Sequence, residues 1–392
     1  MPNILIDIGK INRTYGGAYQ YSIALLRILS ASSDNYRFFV YSEKPEEDIR
    51  QIVNNSSVMS FTDAPKYSKS RKAKLYTKLF NKINRLLGKS SRDLKKDKYD
   101  LLIKKYNIDI VHPPAQSLVK KRGVKSITTL HDVQELHFPE FFTSQQRANR
   151  AVRYKNAIDG ADAVVVSYNH VKNDIVKYFD KPAENVHVIL LDMQNLWCEK
   201  LTLKNSKSID EFVIPENYLL YPASTWEHKN HKAVIKSIAS FKEQGLQLVC
   251  TGYITEYYEK TLEPIIVEHG LQHHVHFLGI VSDDNLLLLY HKCLAVIVPT
   301  LYEAGSFPLM ESMLMEIPVI CSNVTSLPGT LGDGRFIFDP NSAEDIFEKI
   351  ALICYDESYR EENIRVIKRN ALKLKNNRAL EKIKVVYDKL SS

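Results

Sequence analysis

Short runs rich in β-branched and aromatic residues recur along this chain, each separated from the next by a longer stretch with helical spacing. In the first half the runs are Asn3–Ile8, Arg37–Tyr41, Ile108–His112, Ser126–Leu130, Ala163–Ser167 and Val186–Leu190. In the second they are Tyr218–Tyr221, Leu246–Thr251, Val275–Leu278, Leu294–Val298, Ile317–Cys321 and Arg335–Phe338. That alternation is the pattern of βα units around a parallel sheet, and it excludes an all-helical or an all-β fold. At 392 residues the chain is long enough for two domains of ~150 residues or more. The polar stretch from Leu201 to Asp210 has no apolar periodicity and reads as a hinge between two α/β halves. The residues from Tyr359 onward read as one continuous helix, long enough to reach back to the first half. The expected division is 1–200, 201–370 and a final helix at 371–392 that packs on the first domain.

Composition is that of an ordinary globular chain, with 44% hydrophobic and 25% charged residues. The net charge of +7 is unevenly distributed. Between Lys66 and Lys98 there are thirteen Lys or Arg against two acids, a local excess of +11 that leaves the remainder slightly acidic. A protein that binds nucleic acid over a whole face would not look like this, and the run lacks interleaved stacking residues. The five cysteines (198, 250, 293, 321 and 354) form no CxxC pair and no metal-ligand spacing, which fits free thiols in a reducing compartment. The N-terminus enters a strand-like run and meets Asp7 rather than forming a signal peptide. The longest apolar stretch, Leu286 to Pro299, is short and broken by His291 and Lys292. The expected location is cytoplasmic.

In open α/β sheets ligands bind at the carboxyl ends of the strands, so the residues after each strand are the ones to examine. After the first strand, Gly16-Gly17 opens a helix; this suits an anion at the helix start, or is a tight turn alone. No G-x-G-x-x-G or P-loop motif occurs, which disfavours nicotinamide dehydrogenases and P-loop NTPases. His131-Asp132 follows the run Ser126–Leu130, where it serves acid–base or hydroxyl-binding work, or a cap. After Tyr218–Tyr221 come His228-Lys229-Asn230 at a helix entrance, where Lys229 suits a phosphate or is simply solvated. After Leu294–Val298 comes Pro299-Thr300-Leu301-Tyr302-Glu303-Ala304-Gly305-Ser306-Phe307-Pro308-Leu309-Met310-Glu311. One acid in the loop, amides at the helix start and one acid on the helix together suit a sugar nucleotide: carboxylates accept from vicinal hydroxyls, and diphosphates sit on helix N-termini.

With Glu303 and Glu311 at Glu-x7-Glu spacing, the pattern resembles retaining glycosyltransferases of family GT4, in the large GT-B class. Ser322–Pro328, Phe338-Asp339-Pro340, His228–Asn230, Gly16-Gly17 and His131-Asp132 fall in the family's order. The resemblance is strong over 218–345 and weak over 45–125. It implies a GT-B fold: two Rossmann-like domains facing across a cleft, an acceptor-binding one followed by a nucleotide-sugar-binding one. It further implies that His131, Glu303 and Lys229 carry the chemistry. Glu303 would hold the transferred sugar and Glu311 the ribose, while Lys229, Gly16, Gly17, Ser306 and Phe307 meet the diphosphate and His131 lies near the reacting carbon. Backbone contacts near Gly252 and Ile280 would select the base, with GDP-mannose the favoured donor. Neither a cofactor nor a metal is expected.

Three positions depart from the family pattern. Ser306 stands where many relatives have Gly, and would be strained if the position requires φ > 0. A phosphate-binding Arg is missing before Lys229, with His228 as the substitute cation. Gly329 replaces a Glu after Leu327-Pro328. The resemblance implies transfer to a lipid-linked saccharide in cell-surface polysaccharide synthesis (O-antigen or capsule). A sugar-nucleotide 2-epimerase of the same fold and a catalytically inactive nucleotide-sugar-binding partner are the alternatives.

Within the basic run, Leu75, Leu79, Ile83 and Leu86 or Leu87 form one helical stripe edged by Lys72, Lys74, Lys78, Lys82 and Arg85. This reads as a basic amphipathic helix that docks on an anionic membrane, or as a solvated helix packed on the first domain. At about 1 kcal/mol per cation near such a surface, replacing Lys72, Lys74, Lys78 and Lys82 by Gln should strongly weaken binding to anionic liposomes in a co-sedimentation assay. Unchanged binding would leave only the packed helix.

Overall fold

The computed structural model describes residues 1–32, 35–63, 98–191, 214–375 and 377–392. The basic run (Lys72, Lys74, Lys78, Lys82, Arg85) and the hinge at 201–210 lie outside the described residues. Seven strands form the first sheet: β1 (Asn3–Gly9), β2 (Arg37–Ser42), β3 (Met59–Phe61), β4 (Ile110–His112), β5 (Lys125–Thr129), β6 (Ala163–Val166) and β7 (Val186–Val188). Six form the second: β8 (Tyr218–Pro222), β9 (Gln247–Thr251), β10 (Val275–Phe277), β11 (Ala295–Val298), β12 (Val319–Ser322) and β13 (Ile337–Phe338). The spatial orders are β3-β2-β1-β4-β5-β6-β7 and β10-β9-β8-β11-β12-β13, with every pairing parallel. The central strands are covered on both faces. Ala163–Val166 and Ala295–Val298 are therefore buried throughout, and they read as continuous apolar runs rather than as alternation.

In each sheet the strand order reverses once, between β1 and β4 and between β8 and β11. A crevice opens at such a switch point because the neighbouring connections run to opposite faces. The loops after β1, β8 and β11 carry Gly16-Gly17, Lys229 and Glu303, so the strand order alone brings these residues toward one cleft. The edge strand β3 is absent from the sequence reading. Its middle residue, Ser60, is exposed, and Ser57 and Thr62 lie on either side of it, so no apolar run marks it.

The chain end is not one helix. Helices Glu357–Lys375 and Ala379–Ser391 are separated by a break where Arg378 takes a left-handed φ of 53° and Asn377 Oδ1 accepts from Ala379 N at 3.0 Å. The first of these helices is tied to the second sheet: Asn363 exchanges bonds of 2.8 and 2.9 Å with Val319, and Asn370 donates to Leu331 O at 2.7 Å. The second leaves for the first sheet, where Ile383, Val386 and Tyr387 join the core of Ile4, Ile6, Phe38 and Ile110. A continuous helix could not satisfy both surfaces, and the direction changes at the polar Asn377-Arg378 step.

The anchor of the returning helix is Tyr387, fully buried, whose hydroxyl lies 2.8 Å from His112 Nδ1; His112 Nε2 lies 3.1 Å from Thr129 Oγ1. Burial holds His112 neutral by pushing its pKa down to about 3. Replacing Tyr387 by Ala removes a buried ring and one partner of this histidine, and should cost about 3–5 kcal/mol in urea unfolding.

Candidate active site

Between the halves lies a cleft of about 640 Å³, a size suited to a nucleotide sugar. Its walls come from both domains and include Gly16, Gly17, His131, His228, Lys229, Glu303, Phe307 and Glu311. The strand-end residues singled out from the sequence are thus largely gathered in one place.

At the centre of the second-domain wall, Lys229 Nζ donates to Glu303 Oε1 at 2.6 Å, with both side chains less than a fifth exposed. The surrounding His-Lys-Asn triplet is mostly scaffolding. Asn230 turns the chain at φ 59°, a left-handed conformation that asparagine tolerates, and its Nδ2 donates to Pro299 O and Pro340 O at 3.1 and 2.9 Å. His228 offers its carbonyl to Leu301 N and Thr300 Oγ1. A row of hydroxyls from the stretch after β12 holds the acid loop: Ser322 donates to Thr300 O, Thr325 to Glu303 O and Ser326 to Ala304 O. That row gives the Ser322–Pro328 stretch a structural purpose.

The helix Phe307–Met315 starts at this loop. Ser306 is its cap, at φ −97°, with Oγ accepting from Leu309 N at 3.3 Å. Ser306 is therefore unstrained, contrary to the concern that φ > 0 is needed there. The glycine that matters is Gly305, where a Cβ would sit 2.1 Å from the ring of Tyr168 in the first domain. Pro308 has no N–H and Leu309 N is bonded to the cap, and Phe307, the first residue of the helix, lines the cleft. One turn later Glu311 accepts from Tyr290 Oη at 2.6 Å, which orients its carboxylate.

The first-domain wall is built around β5 and β1. His131 Nε2 donates to Pro114 O at 3.0 Å, leaving Nδ1 as the acceptor nitrogen of a neutral ring. Tyr21 meets that ring edge-on at 4.8 Å, and burial lowers the imidazole pKa. Asp132 is not a partner of His131. It accepts from Arg150 Nη2 at 2.7 Å, while Arg150 Nε donates to buried Glu135 at 2.8 Å and the guanidinium lies over Phe142 and Tyr154. Arg150 escapes the sequence reading because it lies inside helix Ser144–Gly160, with no motif linking it to Asp132. Gly16 caps helix Gly17–Ser30 at φ 54° and ψ −119°, which requires glycine; Gly17 lies against Phe307, where a Cβ would be 3.4 Å from the ring.

Two expectations are corrected. His228 is not a substitute cation: burial beside Lys229 pushes its pKa down to about 3, so it faces the cleft as a neutral donor or acceptor. Ser306, Gly252 and Ile280 are not among the residues lining the cleft, although Ser224 and Tyr253 beside Gly252 are. Gly252, at φ 118°, packs so closely on the loop after β8 that a Cβ would be 2.7 Å from Ser224 N, and Ile280 is 72% exposed. Among the described residues, no group of three or more His, Cys, Asp or Glu is arranged to hold a metal ion, and no helix is long and apolar enough to cross a membrane.

Residues 15–190 match the family model for Glycosyltransferase Family 4, and residues 205–371 the model for Glycosyl transferases group 1. The chain is 24% identical over 264 residues to O-antigen chain mannosyltransferase B of Escherichia coli, spanning 66% of this chain and 68% of that one. It is 26% identical over 216 residues to O-antigen chain mannosyltransferase RfbU of Salmonella typhimurium, spanning 54% and 56% of the two chains. Among solved structures it superposes on a sucrose-phosphate synthase of Thermosynechococcus elongatus with a TM-score of 0.70 at 16% identity, covering 100% of this chain and 99% of that one. On WaaG, a glycosyltransferase involved in lipopolysaccharide biosynthesis, the TM-score is 0.64 at 14% identity, over 98% and 99%. On Anabaena HepE in complex with UDP and glucose it is 0.61 at 15%, over 100% of both chains.

Buried histidines make the fold acid-sensitive. His112 and His231 are both at most 1% exposed and both pushed from 6.5 to about 3. The unfolded chain binds their protons first, so stability is level above pH 6.5 and falls below it by about 1.4 kcal/mol per pH unit for each. Thermal melts between pH 8 and 5 should show this fall, and His231→Phe should make it shallower.

Proposed function

Since the chain belongs to the glycosyltransferases of GT-B fold, with a family 4 first half and a group 1 second half, we propose that it moves a hexosyl group from a nucleoside-diphosphate sugar to a saccharide acceptor, with retention at the transferred carbon. The donor favoured is GDP-mannose and the acceptor a lipid-linked saccharide of cell-surface polysaccharide synthesis. The O-antigen mannosyltransferases to which the chain is similar support that choice, and the UDP bound by a structural neighbour supports a nucleotide-sugar donor. The basic run at 66–98 docks the first half on an anionic membrane surface, where such an acceptor is presented.

The observation that carries the reading is the second-domain wall. A cation (Lys229), the first residue of a helix (Phe307) and two carboxylates (Glu303, Glu311) line one cleft, the set of groups that a diphosphate, a sugar and a ribose would call for. As the glycosidic bond breaks, negative charge grows on the leaving diphosphate. Lys229 and the helix dipole stabilise it more in the transition state than in the ground state. The departing phosphate takes the acceptor's proton on the face that the acceptor attacks. Glu303 holds the sugar by its hydroxyls, Glu311 holds the ribose, and His131 Nδ1 accepts from the donor sugar near the reacting carbon.

Incubation with GDP-, UDP- and dTDP-sugars, followed by product analysis, tests the assignment. Glu303→Gln should lower transfer roughly a hundredfold or more while nucleoside diphosphate binding stays within about threefold. Unaffected transfer would remove Glu303 from the site. Epimer formation without acceptor would instead mark a 2-epimerase. Tight nucleotide binding with no turnover of any donor would mark a catalytically inactive partner.

A further inference from the structure

The acid loop belongs to the second domain, yet the side chains on either side of Glu303 are seated in the first. Tyr302 is 3% exposed, and the rings around it come from across the cleft. His137 is stacked on it at 5.4 Å and 25°, Phe138 meets it at 5.9 Å, and His170 meets it edge-on at 6.5 Å. His137 is itself held by Asp174 Oδ2 at 2.7 Å. On the other side of Glu303, the Tyr168 ring occupies the space that a side chain at residue 305 would need. The same first-domain segment also reaches the other half of the ion pair: Phe141 lies 6.3 Å from the ring of His228, next to Lys229.

We infer that Tyr302 is a positioning residue: its ring, seated in the first domain against His137 and Phe138, sets the neighbouring Glu303, so that the sugar-holding carboxylate is in place only when the two domains are closed. The hydroxyl row from Ser322 to Ser326 fixes the loop's carbonyls from the second domain. The direction of the Glu303 side chain depends in addition on where Tyr302 goes, because the planar peptide that joins them fixes the Glu303 backbone to the seated Tyr302. Parting the domains would expose a buried aromatic ring and release that constraint. Of the groups assigned to the nucleoside diphosphate, Lys229 and Phe307 lie in the second domain and Gly16-Gly17 on the loop after β1, none of them in the His137–Phe138 segment, so nucleotide binding does not require the seat. Closure is then what couples nucleotide capture to readiness of the sugar.

This inference rests on the sugar-transfer reading, and two measurements separate the failure of one from the failure of the other. The first is steady-state transfer and the Kd for GDP or UDP in Tyr302→Leu, His137→Leu and the double variant. Each single change should lower kcat about tenfold or more with nucleotide Kd within about twofold, and the double variant should be no slower than the slower single. Tyr302→Phe, which keeps the ring, should recover most of the rate. Losses that multiply in the double variant, or unchanged kcat, overturn the inference. The second is hydrogen exchange of the full chain over residues 300–306. His137→Leu should raise exchange there although His137 lies in the other domain, and unchanged protection overturns the inference even if the wild-type chain turns over no donor.

Discussion

The 2.6 Å contact between Lys229 and Glu303 joins the loops that leave β8 and β11, the two strands at which the second sheet reverses its order. Both charges are mostly withdrawn from water, so each needs the other or a ligand of matching charge. The loops are accordingly braced: Asn230 ties one to Pro299 and Pro340, and the hydroxyls of Ser322, Thr325 and Ser326 hold the other. A cation and a carboxylate held this way are fixed relative to each other by second-domain contacts.

Those braces reach beyond the second domain. The acid loop is packed by Tyr168, His170 and His137 of the first half, and the final helix carries the chain back to the first sheet through Tyr387. The two halves are therefore joined both by aromatic contacts at the acid loop and by the return of the chain to the first sheet. Buried imidazoles recur through this framework. Because His112, His228 and His231 are held neutral, their contribution is shape and hydrogen bonding rather than charge. His228, expected to act as a second cation beside Lys229, is one of these neutral rings.

Much of the fold is legible in the order of residues. Each of the twelve expected strands is present within a few residues, because strands buried on both faces need unbroken apolar runs such as Ala163–Val166. The misses are local. β3 is interrupted by exposed Ser60 and carries no apolar run, and the helix break at Asn377-Arg378 is imposed by two packing surfaces rather than by a proline or glycine. Within the site, Glu303, Glu311, Lys229 and the glycine pair are readable because each follows a strand. Arg150, Tyr168 and Tyr302 are not, since they act through rings and charges brought in from distant parts of the chain.

The sequence by itself determined the α/β class, the two halves, the spacing of the paired glutamates and the strand ends at which chemistry had to be sought. These depend on periodicity and on neighbours along the chain. Only the tertiary structure decided that Asp132 pairs with Arg150 rather than His131, that Ser306 is an unstrained cap, that His228 is uncharged and that Gly252 packs against the loop after β8. Ionisation follows burial, and a glycine is required where another backbone or ring closes in. Both depend on which residues meet across the fold, and no local stretch of sequence contains that information.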